Sequence, residues 1–484
     1  MPREPGRYTS TAVGSFVRGA NIFGNSNGTA ASMAPLAHLA ICQTCSADGC
    51  FESDILAALD AAIEDGIDVI SISFGLSAMA FDEDYIRGIF VSWSARNRGP
   101  FHTTLSNEAP WILTVCASTI DKNLRATAIL GNRMELNGES SFQTKGLPLG
   151  QLPLVYPGMN ASDFGANYCL PESLNSTYVK RKVVLCTVDS TPTKTERGRT
   201  VKNASGVAII LMNMEHEGFT TSADAHVILA TNVNYEDGLK IIAYVNSTSI
   251  PIATIVFKGT IMGDQNAPTV ASFSSKGPSY VSRGILKLDI IGPGVNILAA
   301  WPNSIENNAN TKNNFNIISG TSVSSPHLSG HVNPTRVSDP GLVYDIEPHD
   351  YIPYLCGLNY TSREVTKIFL HRVNCSAESR IPEGQLNYPS FANGIQPSHQ
   401  RFTRTVTNVG ENNESYQVEA VLPQGFDIFV NPRTLNFLRL NKKLTYEVTF
   451  RRSGNPGNTS VSQGYIIWKS SKLSVRSPIA ACEL

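Results

Sequence analysis

The sequence predicts an α/β core built on a parallel sheet, split by an inserted module and followed by an all-β sandwich. Three observations lead to that class. Residues 30–120 alternate short apolar runs with a helical stretch, the order of strand–helix–strand units. Residues 131–257 change to a polar module with its own apolar runs, and 258–330 return to the earlier style, so the α/β part is interrupted rather than ended. From about residue 384, apolar side chains fall at every second position, the period of half-buried strands. A chain of 484 residues has room for about three domains.

In the first part, the apolar run at residues 37–41 is expected to be a buried strand. Residues 54–64 are expected to be a helix. Ile55, Leu56, Leu59 and Ile63 recur at helical spacing, Ser53 is available as N-cap, and Gly66 follows as a stop. Further strands are expected at 69–75, 88–92 and 111–115. In the insert, 182–186 and 206–212 read as buried strands and 237–245 as a short amphipathic helix. Gly277-Pro278 and Gly292-Pro293-Gly294 punctuate the second part of the core. In the tail, Tyr416, Val418 and Ala420 alternate with polar residues, as do Leu444, Tyr446, Val448 and Phe450. Strands at 426–430, 435–438 and 465–468, separated by turn signals at Asn431-Pro432 and 454–457, complete a sandwich pattern.

Composition removes several classes of function. Lys and Arg number 39 against 40 Asp and Glu, a net charge of −1, so no basic field exists to hold a nucleic acid. No apolar run reaches the roughly 18 residues of a membrane span, so no membrane insertion is expected. The first residues, Met1-Pro2-Arg3-Glu4, lead into no apolar stretch, so no signal peptide is expected in this chain. Nine Asn-x-Ser/Thr sequons nonetheless give the chain a secretory character. There are nine cysteines. The close pairs Cys45/Cys50, Cys169/Cys186 and Cys356/Cys375 are the expected disulfides, although sequence alone leaves the connectivity open. Cys42-x-x-Cys45 lacks a second Cys or His pair at ligand spacing, so neither a metal nor another cofactor is expected.

The chemistry-bearing segment is Ile318-Ser319-Gly320-Thr321-Ser322-Val323-Ser324-Ser325-Pro326-His327. Small residues lead into a helix beginning near Ser322, which sets a hydroxyl beside backbone N–H groups and the positive helix end. The string resembles the Gly-Thr-Ser-x-x-x-Pro-His motif around the nucleophile of subtilisin-like serine proteases. Other stretches agree in that family's order. The segment from Ser92 to Pro100 resembles the oxyanion-hole segment, with Asn97 at the position of the oxyanion asparagine. Ser71-Ile72-Ser73-Phe74-Gly75 resembles the strand whose backbone pairs with substrate. Residues 270–279 and 289–295 are similar to signatures near the serine. The insert resembles a protease-associated domain. The tail, with Leu386-Asn387-Tyr388-Pro389-Ser390 and residues 404–410, is similar to a fibronectin-III-like domain. Insert and tail together point to the plant, cucumisin-like branch.

The resemblance implies an α/β, split parallel-sheet subtilisin-like core at 1–130 and 258–355. It also implies a protease-associated insert at 131–257, a linker at 356–383 and a fibronectin-III-like sandwich at 384–484. It implies Ser322 as nucleophile, Asn97 as oxyanion donor, and Ser73, Phe74, Gly75, Ala95 and Arg96 as substrate-binding residues. The substrate would be a polypeptide, the location extracellular or cell wall, and the insert a possible homodimer contact, as in some relatives.

Three departures qualify that picture. The match begins at Tyr8, after the family's Asp and His segments, and residues 1–30 contain neither Asp nor His. Gly330 is followed directly by His331-Val332-Asn333-Pro334, a later family segment, and 81–89 is short of a family helix, so the core is expected to be incomplete. Arg96 replaces the family glycine beside Asn97 and would crowd the substrate pocket. His38 reads as a strand residue, His102 as a loop residue and His327 as a structural one, so none is expected to act as base. The chain is thus expected to be a truncated, inactive protease. The alternatives are a non-catalytic scaffold using the insert and tail, and a hydrolase with another base.

Overall fold

The computed structural model describes residues 6–46, 49–75, 88–143, 150–159, 165–189, 191–302, 305, 314–330, 340–394, 399–453 and 461–482. The short stretch at 81–87, the junction from His331 to Pro334, the turn at 454–457 and the sequons at Asn160 and Asn458 lie outside them. Among the described residues, no helix is long and apolar enough to cross a membrane.

The chain opens with helix α1 (Gly6–Val13) and a hairpin of β1 (Val17–Ile22) and β2 (Asn25–Ala30). A second small hairpin, β3 (Cys45–Ser46) and β4 (Gly49–Cys50), is closed by the Cys45–Cys50 disulfide and leads into α2 (Glu52–Glu64). The α2 helix starts earlier than its apolar spacing implies. Phe51 occupies the cap position with no side-chain cap bond, so Ser53 lies inside the first turn instead of capping it. Glu52 and Asp54 provide negative charge at that end. Strands β5 (Val69–Ile72), β6 (Phe90–Ser94) and β7 (Leu113–Ser118) then run parallel.

The run at 37–41 is not a strand. It is exposed coil, with Leu39 49% and Ile41 51% accessible. β5 forms the edge of its sheet, and among the described residues nothing pairs with its outer side, so the run at 37–41 adds no strand to that free edge.

The inserted module is a closed barrel of seven strands. It comprises β8 (Lys122–Leu130), β9 (Glu135–Glu139), β10 (Leu152–Val155), β11 (Val183–Thr187), β12 (Ala208–Met212), β13 (Leu229–Val233) and β14 (Ile252–Met262). Its strands therefore begin at Lys122, ahead of the composition change at 131, because β8 pairs with β14 along nearly its whole length. Helices α3 (Ser176–Val179), α4 (Lys194–Asn203) and α5 (Tyr235–Ser247) accompany it. Leu130, Leu154, Val183, Leu185, Ile210, Ile241 and Ile255 fill one face of its core. The Cys169–Cys186 disulfide lies in a second cluster with Val184, Val201 and Ile209.

The core resumes with β15 (Ile290–Pro293), which joins the parallel sheet in the order β15-β7-β6-β5. A hairpin of β16 (Ile297–Ala300) and β17 (Phe315–Ile318) follows, then helix α6 (Thr321–Gly330), which lies against β5, β6, β7 and β15. Strand β18 (Leu342–Val343) already belongs to the C-terminal sandwich, pairing with β20 (His399–Asn408). Helices α7 (Tyr351–Gly357) and α8 (Ser362–Phe369), stapled by Cys356–Cys375, pack Tyr354, Leu355, Val365 and Phe369 against Ile285 and Trp111. The expected linker at 356–383 is thus a folded helical unit, because its apolar residues find a surface on the core.

β19 (Phe391–Gly394) precedes β20, and β21 (Glu414–Val421), β22 (Phe426–Asn431), β23 (Thr434–Phe437), β24 (Lys443–Arg452), β25 (Val461–Lys469) and β26 (Ser474–Cys482) follow. They form two sheets, β18-β20-β24-β22 and β19-β26-β25-β21-β23. Tyr416, Val418, Tyr446, Val448 and Phe450 point into the core between them, as the alternation requires; Ala420 is exposed near the strand end.

Each accessory unit holds a buried arginine that donates to backbone carbonyls, Arg197 in the barrel and Arg404 in the sandwich. Arg404 donates to the carbonyls of Tyr388 (2.7 Å), Gly384 (2.9 Å), Thr403 (2.9 Å) and Ser390 (3.0 Å), with its guanidinium over Phe391 and Phe402. Burial lowers its pKa to about 10, which leaves it charged at neutral pH. Replacing it by Met strands those carbonyls, so Arg404→Met is expected to cost about 3 kcal/mol or more by urea unfolding. In the barrel, His226 is 2% exposed, and among the described residues neither ring nitrogen is hydrogen-bonded. Burial drives its pKa down to about 4, with nearby Asp224 raising it and Lys194 lowering it. The unfolded chain therefore takes up this proton first. The neutral imidazole's full contribution holds above pH 6.5 and is lost as the pH falls toward 4, by about 3 kcal/mol. Calorimetry at pH 7 and pH 4.5 is expected to show a smaller drop in barrel stability for His226→Leu than for wild type.

Candidate active site

Ser322 is the second residue of α6, reached from β17 through the turn at Ser319-Gly320. Its Oγ donates to the Ser73 carbonyl at 2.9 Å, and Ser73 Oγ donates back to the Ser322 carbonyl at 3.0 Å. The helix is held on the sheet by another hydroxyl exchange. Ser325 Oγ donates to the Ser92 carbonyl (3.0 Å) and Ser92 Oγ to the Ser325 carbonyl (3.1 Å), both residues being fully buried. Two hydroxyls that would cost free energy if orphaned thus fix the helix over β6.

Asn97 stands at the helix start. Its Oδ1 accepts from Thr321 N and Thr321 Oγ1, each at 2.9 Å. With the oxygen committed, the amide nitrogen is the end left to meet an incoming oxyanion, the orientation that such a donor needs. A Cβ on Gly320 would approach Asn97 Nδ2 to 3.2 Å, so glycine there leaves the amide its room.

Residues 73–75, expected to pair with substrate, sit alongside. The Phe74 carbonyl accepts from Trp93 Nε1 (2.5 Å) and Asn107 Nδ2 (3.1 Å), and Asn107 Nδ2 also reaches the Ser94 carbonyl (2.7 Å). Asn107 is buried, and the sequence reading missed it. Its only sequence signal is an Asn in the turn before Ala109-Pro110. Arg96 adopts a left-handed φ of 74° and lays its side chain where a Cβ on Gly75 would be. Arg96 Nη1 reaches Ser106 Oγ at 3.4 Å, and burial, with Arg98, lowers its pKa. It therefore fills space beside the strand, as its size implies. Ala95 does not face the cleft. It follows the end of β6 and is fully buried against Leu105 and Cys116.

No histidine hydrogen-bonds Ser322 among the described residues. His38 and His102 are exposed, His38 in coil rather than a strand, and His327 Nδ1 contacts the Val323 carbonyl at 2.8 Å.

Comparison with known proteins matches residues 10–336 to the subtilase family and residues 385–481 to the fibronectin type-III domain. Subtilisin-like protease SBT1.5 of Arabidopsis thaliana is 38% identical over 567 residues, covering 99% of this chain and 73% of the relative. SBT1.7 from the same plant is 37% identical, covering 98% and 71%. The CO(2)-response secreted protease of that plant is 33% identical over 97% of this chain and 71% of its own. The geometry of Ser322 and Asn97 and these matches agree: the chain belongs to the subtilase family.

Proposed function

We propose that residues 1–484 form a subtilase that binds polypeptide at the Ser322 cleft but does not hydrolyse it unaided. The observation that carries this reading is the Ser322 hydroxyl, whose proton is given to the Ser73 carbonyl and to no imidazole among the described residues. A carbonyl oxygen is too weak a base to take that proton during attack. Acyl transfer needs serine, base and an orienting carboxylate acting together. In subtilisin, the enzyme on which the figure was established, losing the histidine lowers kcat about 10⁶-fold. Asn97 and the α6 N-terminus retain the oxyanion half of the machinery, worth roughly 10³–10⁴ over water at most. Internal residues present in the relatives and absent here also support the reading, since the 567-residue match to SBT1.5 exceeds the 484 residues of this chain.

The barrel is read as a protease-associated domain; in the core, Ser73, Phe74 and Gly75 are read as the peptide-pairing edge, with Arg96 narrowing the pocket beside it. Three disulfides and the exposed asparagines of the seven described sequons support an extracellular glycoprotein. A second reading, a non-catalytic scaffold, draws on the barrel and the sandwich each having a closed core of its own.

Fluorophosphonate labelling tests the first reading. Wild-type 1–484 and Ser322→Ala are expected to stay equally unlabelled. Wild-type labelling that disappears in Ser322→Ala would overturn it.

A further inference from the structure

A cavity of about 400 Å³ opens between the barrel and the serine segment. Asn97, Ser319 and Ser272 line it from the core, and Lys194, Glu217 and Asp224 line it from the barrel. We propose that this cavity is a subsite for the part of a bound polypeptide that runs past Asn97, and that it selects a basic side chain. The inference rests on the Ser322 cleft being a polypeptide site.

Position is the first argument. Ser322 is flanked by Ser73 on one side, while Thr321 and Gly320 before it meet Asn97. A chain lying over Ser322 and paired with residues 73–75 leaves that edge toward Asn97 and Ser319, which is where the cavity begins. Its volume suits a side chain with its flanking backbone, within the range of ordinary ligand pockets.

Rigidity is the second. Ser272 N donates to Thr220 Oγ1 at 3.0 Å across the two units. Asn296 Nδ2 donates to Glu139 Oε2 at 2.9 Å, and Ala223 N to Asn296 Oδ1 at 2.8 Å. The walls are therefore set before a ligand arrives, which reduces the ordering cost of binding.

Charge is the third. Lys194 Nζ is committed to Ser222 Oγ and Asn232 Oδ1, each at 2.9 Å. Asp224 Oδ2 accepts from Ser222 Oγ at 2.6 Å, and Glu217 Oε2 from Met214 N at 2.9 Å. Each carboxylate keeps a second oxygen that takes no hydrogen bond among the described residues. The lining holds two carboxylates, the Lys194 ammonium already engaged in the wall, and His216; the buried Arg197 behind it acts on Glu217, so what faces the cavity unmatched is the free carboxylate oxygens and not a net charge. An ammonium or guanidinium can take up the remaining acceptors, and a carboxylate cannot.

The test is fluorescence anisotropy on the full chain at pH 7.5 and low salt. The probes are two fluorescein-labelled Ala/Ser dodecapeptides that differ only in carrying two Lys or two Glu. The Lys peptide is expected to bind about tenfold more tightly. Glu217→Gln with Asp224→Asn, which keeps both wall hydrogen bonds, is expected to remove the preference, and Lys194→Met to increase it. Opposite responses cannot come from unfolding. Equal affinity of both peptides for wild type, no binding of either, or a preference untouched by both variants overturns the subsite. Mass spectrometry of the peptides keeps the two readings apart. Cleaved peptide with the charge preference intact overturns the non-hydrolysing reading and leaves the subsite standing.

Discussion

The arrangement around Ser322 depends on one buried carboxylate, Glu139. It is 5% exposed, and burial pushes its pKa up, against the hydrogen bonds and the Arg125 charge that favour its ionised form. Its oxygens take Leu124 N (3.1 Å) and Thr221 Oγ1 (2.6 Å) from the barrel and Asn296 Nδ2 (2.9 Å) from the core. Asn296 N in turn donates to Ser319 Oγ at 3.0 Å, three residues before Ser322. A single group therefore ties the first barrel strands, a barrel loop and the serine turn. Removing one member of such a network leaves the others buried and unpaired, so the cost exceeds that of one bond.

The same physics recurs within the barrel and where core and sandwich join. Arg197 in the barrel donates to the carbonyls of Tyr168, Thr187, Asp189 and Thr191. Lys287 in the core donates to the Ile112 carbonyl at 2.7 Å and to Asp289 at 2.5 Å, while Tyr388 of the sandwich side donates to the same Asp289. Burial lowers the pKa of Lys287 and Asp289 opposes that shift. A long cation can reach several carbonyls that no secondary structure satisfies, so irregular segments such as 384–390 can be buried without leaving acceptors unpaired. The fibronectin-like motif at 404–410 has a physical content here: its arginine closes the strap onto β20.

How much of this could be read in the sequence follows from the range of each interaction. The sandwich was legible because alternation is local, and the barrel strands at 183–187 and 208–212 because a wholly apolar run is local too. The meeting of Asn97 with the start of the Ser322 helix was legible because both lie in motifs of fixed residue spacing. The strand expected at 37–41 failed because pairing is not local. Apolar composition proposes a strand, but only a neighbour makes one. The cap at Ser53 failed by two residues, and the Ala95 side chain, expected at the substrate, is buried against Leu105 and Cys116. Glu139, Asn296 and Asn107 carry no pattern at all. Each is a single polar residue whose meaning comes from partners as far as 157 positions away.

The site also separates two properties that catalysis normally joins. The orientation of Asn97 is set by Thr321, and that of Ser322 by Ser73 and the hydroxyl exchange between Ser92 and Ser325. None of these contacts involves an imidazole. The geometry of the Ser322 hydroxyl and the Asn97 amide is a consequence of the helix packing on the sheet, so it does not depend on an imidazole. The converse does not hold, since a base can act only on a hydroxyl already held in place. The serine's bond to the Ser73 carbonyl satisfies the donor at small cost and keeps the side chain beside β5. Selection for a stable core alone would retain these residues, and that is why a complete serine motif is weaker evidence for hydrolysis than for fold.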